Sequence, residues 1–316
     1  MSSAVSLSSR PPQFSSIEDV AQRLEATGYL SDPAIALTVF LADRLEKPVL
    51  VEGPAGVGKT ELAKSVALAT DARLIRLQCY EGLDETKALY EWNYKKQLLR
   101  IQADEGRENW SELEMDIFSE PFLLARPLLS AIRATEPVVL LIDEIDRVEV
   151  EAEALMLEVL SDFQVTIPEL GSIEAVRRPI VFLTSNDTRD LSEALKRRCL
   201  YLHIGYPDVD RERDIIRSRV PSATADLAEQ VARIVTRIRA LDLKKAPSIS
   251  ESIDWARTLV LLGVEAMDAG ASTDTLHVLL KYEADIGKAR AELRGETPSA
   301  PQPAPVDHFR QPEPST

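Results

Sequence analysis

The sequence predicts an α/β fold, a mostly parallel sheet flanked by helices, followed by a small all-α domain. Three observations predict it. A glycine-rich turn, Gly53-Pro54-Ala55-Gly56-Val57-Gly58-Lys59-Thr60, follows a strand-length run at 48–52 and precedes a helical pattern from Lys59. Apolar runs at 138–142 and 179–185 show no polar alternation, as expected of strands buried on both faces, and helical segments separate them. After Pro207-Asp208 only helical periodicity remains.

Residues 1–15 have little periodicity and read as a flexible lead. Ser16 is placed to cap a helix over 17–26, with Glu18 and Asp19 in the first turn, where the helix dipole favours acids. Asp32-Pro33 opens a second helix carrying Ala36, Val39, Phe40 and Leu45 at helical spacing, and Lys47-Pro48 closes it. Beyond a helix at 59–70, a strand is expected at 73–77. Residues 81–101 mix charge with Tyr90, Trp92 and Tyr94, and a polar stretch continues to Glu114; long excursions of this kind are usually functional. A helix over 122–134 leads into the 138–142 strand. The next helix carries Ala152, Leu155, Met156, Val159, Leu160 and Phe163 on one stripe, with Glu149, Glu151, Glu153 and Glu158 as a solvated face. Residues 164–167 and 172–175 flank Pro168-Glu169-Leu170-Gly171 as a hairpin, and a short strand at 200–204 follows the one at 179–185. Helices are expected at 209–219, 224–241, 250–267 and 273–284, with breaks at Pro221, Pro247 and Gly270. The resulting division is a lead at 1–15, an α/β domain at 16–207, a helical domain at 208–295 and a Pro-rich disordered tail at 296–316.

The composition narrows the partners. With 37 basic and 52 acidic residues among 316, the net charge is −15, which disfavours nucleic acid. Two cysteines, Cys79 and Cys199, lie far apart without metal-site spacing and read as buried thiols. No apolar signal core occurs near Met1, and no run of 18 apolar residues occurs anywhere, so a cytoplasmic protein is expected.

The 53–60 stretch fits G-x-x-x-x-G-K-[ST], a phosphate cradle. Its glycines let successive N–H groups turn inward over a helix N-terminus. Lys59 is expected to reach the β- and γ-phosphates of ATP, and the Thr60 hydroxyl to ligate Mg²⁺. Asp143 and Glu144 stand at the end of the 138–142 strand, the edge where α/β sheets meet ligands. In a nucleotide site Asp143 would hold Mg²⁺ through its water shell and Glu144 would polarise the attacking water. The same acids, with Asp146, also suit a cap for the next helix. Asn186, after the 179–185 strand, is either a second residue orienting that water or an ordinary turn residue. Arg197 and Arg198 end a short helix from Leu191, as dipole partners or as an arginine finger.

Together these residues resemble an AAA+ ATPase: Walker A at 53–60, Walker B at Asp143-Glu144, sensor 1 at Asn186, and a finger at Arg197 or Arg198. The hairpin at 164–175 is similar to the superfamily's pre-sensor-1 insertion. Residues 118–128 and Phe163-Gln164-Val165-Thr166-Ile167 resemble the MoxR family, and Tyr90-Glu91-Trp92-Asn93-Tyr94 is similar to the CoxD-like branch that accompanies molybdenum CO dehydrogenases. The resemblance spans about residues 16–295. It implies a homo-oligomeric ring, a hexamer, with ATP between subunits and the finger acting in trans. It also implies a protein client, a metalloenzyme under maturation, and a partner bearing a von Willebrand factor A domain. One departure stands out. Family members carry a sensor 2 arginine in a Ser-Pro-Arg run, whereas this chain reads Pro247-Ser248-Ile249-Ser250-Glu251, with Ser250 in the arginine's place and Arg257 two turns on. The sequence leaves open an ATP-binding switch with little turnover, a small-molecule P-loop kinase and a nucleic-acid motor.

Overall fold

The structure is a computed structural model that describes residues 11–103, 110–265 and 269–295. The chain divides into two compact units, one running to Pro207 and taking in Ser248–Ser250, the other formed by Asp208–Pro247 and the chain from Glu251 onward. The predicted tail at 296–316 and the lead as far as residue 10 lie outside the described residues.

The first unit begins with α1 (Ile17–Ala26) and α2 (Pro33–Leu45). Ser16 Oγ accepts the Asp19 N–H at 3.1 Å, and Asp32 Oδ1 accepts the Ile35 N–H at 2.8 Å. Each such cap contributes about 1 kcal/mol. Residues 11–15 are less free than expected: Phe14 is buried, and the Gln13 and Phe14 N–H groups both donate to the buried Asp43 carboxylate. Then follow β1 (Val49–Glu52), α3 (Lys59–Ala69), β2 (Arg73–Gln78), α4 (Glu85–Ala88), β3 (Tyr90–Trp92), α5 (Tyr94–Ala103), α6 (Trp110–Ile117), β4 (Leu123–Ala125), α7 (Pro127–Ile132) and β5 (Val138–Asp143). The unit closes with α8 (Val150–Asp162), β6 (Gln164–Ile167), β7 (Gly171–Glu174), β8 (Ile180–Ser185), α9 (Glu193–Arg198) and β9 (Leu200–His203).

Five strands form one parallel sheet in the order β2-β5-β8-β1-β9. Its central strands alternate between two cores. Val138, Leu140 and Ile142 of β5 enter one cluster with α7 and α8, while Val139 and Leu141 enter the other with α1, α2 and α3. Leu50, Val181 and Leu183 share the first cluster; Val49, Val51 and Phe182 share the second. Burial on both faces is why these strands read as unbroken apolar runs. After β1 the chain crosses to β2 at one edge and later returns to lay β9 on β1's other side, which leaves a crevice at the carboxyl end of β1.

Three expectations are corrected here. The helix expected over 122–134 starts only at Pro127, because Leu123–Ala125 pairs antiparallel with Tyr90–Trp92 and Arg126 stays extended before the proline. The excursion at 81–114 therefore contributes one strand of a two-stranded sheet whose other strand is β4, and Trp92 of β3 packs edge-on against Phe118 at 5.3 Å. Glu153 is not on a solvated face: it is 1% exposed, and its carboxylate takes the Ser192 N–H at 2.8 Å and Arg189 at 3.1 Å. Cys79 is buried as expected, but Cys199 is only half-buried.

The second unit is helical: α10 (Val209–Arg219), α11 (Ala225–Arg239), α12 (Ile249–Leu261), α13 (Ala269–Asp274), α14 (Leu276–Leu279) and α15 (Glu283–Arg294). Its core gathers Val231, Val235, Ile238, Leu259, Leu276 and Leu279 around the fully buried Trp255, whose indole N–H donates to Thr275 Oγ1 at 2.7 Å. Across this core Arg239 forks onto Glu212, with contacts of 2.5 and 2.8 Å, and Glu212 is 0% exposed. The helix expected over 250–267 ends at Leu261, where Gly263 at φ 72° turns the chain and the Val264 N–H returns to Leu259 O. That expected over 273–284 is broken by extended backbone at Leu280 and Tyr282. The following α15 is anchored by buried Asp285, which accepts the Lys244 and Lys245 N–H groups.

Candidate functional site

The candidate site lies where β1, β2, β5 and β8 end together. Gly53, Gly56 and Gly58 have φ of 148°, 75° and 99°, a left-handed path that residues with a Cβ enter only with strain. Gly53 also lacks room, since a Cβ there would meet the Ile204 carbonyl oxygen at 2.0 Å. Gly53→Ala is thus expected to displace the loop and weaken ATP binding about tenfold or more, measurable by titration with a fluorescent ATP analogue. Within the same compact unit, a Cβ on Gly56 would lie 2.3 Å from Ser248 Cβ, so Ser248 stands against this loop. Pro54, Ala55 and Val57 complete the turn, with Val57 buried.

Lys59 opens α3 and is 6% exposed. Its Nζ donates to Gly53 O and Pro54 O, both at 2.7 Å, and to Asn186 Oδ1 at 2.9 Å. Burial lowers its pKa, and the negative charges of Asp146, Asp143 and Glu144 work against that shift. Thr60 Oγ1 donates to Asp143 Oδ1 at 2.9 Å, as does Thr184 Oγ1 at 2.5 Å. The other Asp143 oxygen takes Arg76, Nε at 3.0 Å and a second guanidinium nitrogen at 2.5 Å. Glu144 follows at φ 60°, its N–H donating to Thr184 Oγ1 at 2.9 Å. Its carboxylate accepts Gln78 Nε2 at 3.0 Å and pairs with Arg147 at 3.1 Å. Arg76 also donates to Gln78 Oε1, so one polar chain links the two acids. Cys79, next after β2, gives its N–H to Asp143 O at 2.8 Å; burial, then the charges of Asp143, Asp146 and Glu144, push its thiol up to about 12.

Lys59, Thr60, Asp143, Glu144 and Asn186 therefore meet at one sheet edge, although they come from three separate parts of the chain. Arg197 and Arg198 do not join them among the described residues: Arg197 reaches toward Glu193 at 4.0 Å, and Arg198 donates to Ser161 Oγ and Ala194 O. The sequence reading missed Arg76, Gln78, Thr184, Arg147 and Thr188. A signal existed for two of these, since Arg76 and Gln78 are polar residues at period two around Leu77, facing the same side as Asp143 through the Gln78–Asp143 pairing. The residues present fit a phosphate and a hydrated divalent cation. The loop is a cradle that a Cβ would fill, Lys59 supplies a buried ammonium, and Thr60 with Asp143 supplies hard oxygen donors.

A five-stranded parallel sheet with helices on both faces and a glycine-rich phosphate loop after β1 defines the class: this is a P-loop α/β fold, followed by helices. Residues 48–199 match the family model described as AAA domain (dynein-related subfamily). Relatives include a Staphylococcus aureus (strain bovine RF122 / ET3-1) protein called Uncharacterized protein SAB1265c, 27% identical over 233 residues, which are 70% of this chain and 81% of that protein. Uncharacterized protein SH1500 of Staphylococcus haemolyticus is 26% identical over the same shares. Among solved structures, the Thermotoga maritima RuvB Holliday junction branch migration motor is similar at 20% identity and a TM-score of 0.45, covering 83% of this chain and 69% of that one. A RuvB mutant from the same organism gives 19% and 0.46, covering 85% and 73%. No described helix is long and apolar enough to cross a membrane.

Proposed function

We propose that this chain hydrolyses ATP at the 53–60 loop and uses the cycle to remodel a protein client. The observation that supports this best is the convergence of Lys59, Thr60, Asp143, Glu144 and Asn186 on the crevice beside β1. In this reading the loop amides and Lys59 bind the phosphates. Thr60 and Asp143 hold Mg²⁺ largely through water, with Asp143 aimed by Thr184 and Arg76. Bound there, the ion would offset charge on the phosphate oxygens. Glu144 takes the proton of the attacking water, and Asn186 orients that water.

The exposed Arg197 and Arg198 at the end of α9 are suited to supply positive charge to the γ-phosphate held by a neighbouring copy in a ring. The net charge of −15 favours a protein client over nucleic acid. That the client is a maturing molybdenum hydroxylase, assisted by a von Willebrand factor A domain protein, rests on the likeness of Tyr90–Tyr94 and neighbouring stretches to MoxR and CoxD-like sequences. Mixing tests the ring. Either Arg197→Ala or Arg198→Ala is expected to silence turnover about 10³-fold, and adding Glu144→Gln protein to that inactive variant is expected to restore part of it. No recovery on mixing would sink the shared site.

A second reading, an ATP-binding switch with little turnover, is favoured by the engagement of Glu144 with Gln78 and Arg147. Turnover measured with and without candidate clients separates the two.

A further inference from the structure

We propose that Asp146 is a positioning residue of this site: its carboxylate holds the Asn186–Thr188 segment so that the Asn186 side chain meets Lys59. The inference rests on the ATPase reading above. Asp146 sits in a single helical turn after β5, at Ile145–Arg147, and is 4% exposed. One oxygen, Oδ2, collects three donors from the segment that leaves β8: the Asn186 N–H at 3.2 Å, the Thr188 N–H at 3.2 Å and the Thr188 hydroxyl at 2.6 Å. No donor in that set belongs to α8, so the helix-cap role that the sequence also allowed is not the one these contacts serve. Asn186 is thus tied by its backbone to the turn after β5 and by its side chain to α3, through Lys59 Nζ at 2.9 Å. Asp187 between them takes φ 59°, a conformation the two flanking bonds to Asp146 hold in place.

The second carboxylate oxygen, Oδ1, is buried and has no hydrogen-bond partner among the described residues. A residue kept only to tie a loop would avoid such an orphan; one whose charge faces a reacting site tolerates it. The negative charge of Asp146 acts on Lys59, ahead of those of Asp143 and Glu144. The hydrogen bonds from Thr188 and Asn186 outweigh the effect of burial on Asp146 itself and keep its carboxyl below the usual range.

Positioning through Asn186 has a signature that damage to the fold does not. Asp146→Ala is expected to lower kcat on the order of 10²-fold, as for a misplaced positioning group. ATP affinity should hold or rise, because a negative charge beside the phosphates is removed. Asp146→Asn, which keeps an acceptor for the three donors, is expected to recover much of the loss. In a double-mutant cycle, Asp146→Ala with Asn186→Ala is expected to be no slower than Asn186→Ala alone. Multiplying effects in that cycle, or parallel losses of affinity and turnover, would overturn the proposal. Should Asp146→Ala fail to fold, Asp146→Leu, which fills the space and accepts no hydrogen bond, carries the same cycle. A wild-type protein without ATP turnover would defeat the functional reading separately. Hydrogen exchange in nucleotide-free protein then decides: faster exchange at the Asn186 and Thr188 amides in Asp146→Ala or Asp146→Leu supports the tether, and unchanged protection there refutes it.

Discussion

Glu144→Gln is expected to bind ATP within about twofold of the wild-type affinity while turning it over roughly 10²- to 10⁴-fold more slowly. The two side chains have the same size, and glutamine keeps a carbonyl oxygen for Gln78 Nε2, so that contact survives while the charge opposite Arg147 is lost. What the amide cannot do is accept the proton of an attacking water. Neither the loop nor Lys59 depends on this side chain, because Lys59 is held by Gly53 O, Pro54 O and Asn186. Steady-state phosphate release beside equilibrium binding of a fluorescent ATP analogue reads both halves. Normal turnover in the variant would remove Glu144 from the chemistry, and Lys59→Ala, which should lose binding itself, is the matched control.

The second large effect concerns stability. Arg239→Met is expected to destabilise the helical unit by about 3–5 kcal/mol, because it leaves the Glu212 carboxylate buried without its counter-charge. The pair is bidentate, with Arg239 8% exposed and Glu212 fully buried, so solvent cannot take over. Arg239 also caps Pro247 O at 2.8 Å, which methionine cannot do. Adding Glu212→Leu to the same chain is expected to recover most of the loss, since a buried ion pair exchanged for well-packed apolar groups is often near neutral. Urea unfolding of the single and double variants measures this. A single variant within about 1 kcal/mol of wild type would show that water reaches Glu212 after all.

The parts of this molecule that were legible in the sequence are those written in consecutive residues. The 53–60 loop announces itself by spacing, and β5 and β8 by runs too apolar to have a wet face. Ser16 and Asp32 stand where helix caps must stand. What was not legible depends on pairing between distant segments. Leu123–Ala125 has good helical character, but Tyr90–Trp92 offers it a ladder, and thirty intervening residues hide that offer. Glu153 reads as one more surface glutamate until α9 brings the Ser192 N–H to it. At the site, Asp143 and Glu144 are adjacent letters, whereas Arg76 and Gln78 reach them only through the register of β2 on β5. Register is settled by the whole sheet, and no local pattern states it.

Cys79 offers a use of this architecture that needs no added probe. Only a thiolate reacts readily, and this thiol is both sealed from solvent and held protonated up to about 12. Its backbone amide is meanwhile tied to Asp143 O. Alkylation at neutral pH therefore waits for β2 to part from β5, and its rate becomes a clock for the opening of that seam. Any ligand that tightens the seam slows the clock, so the natural sequence already contains a timer wired to its own candidate site.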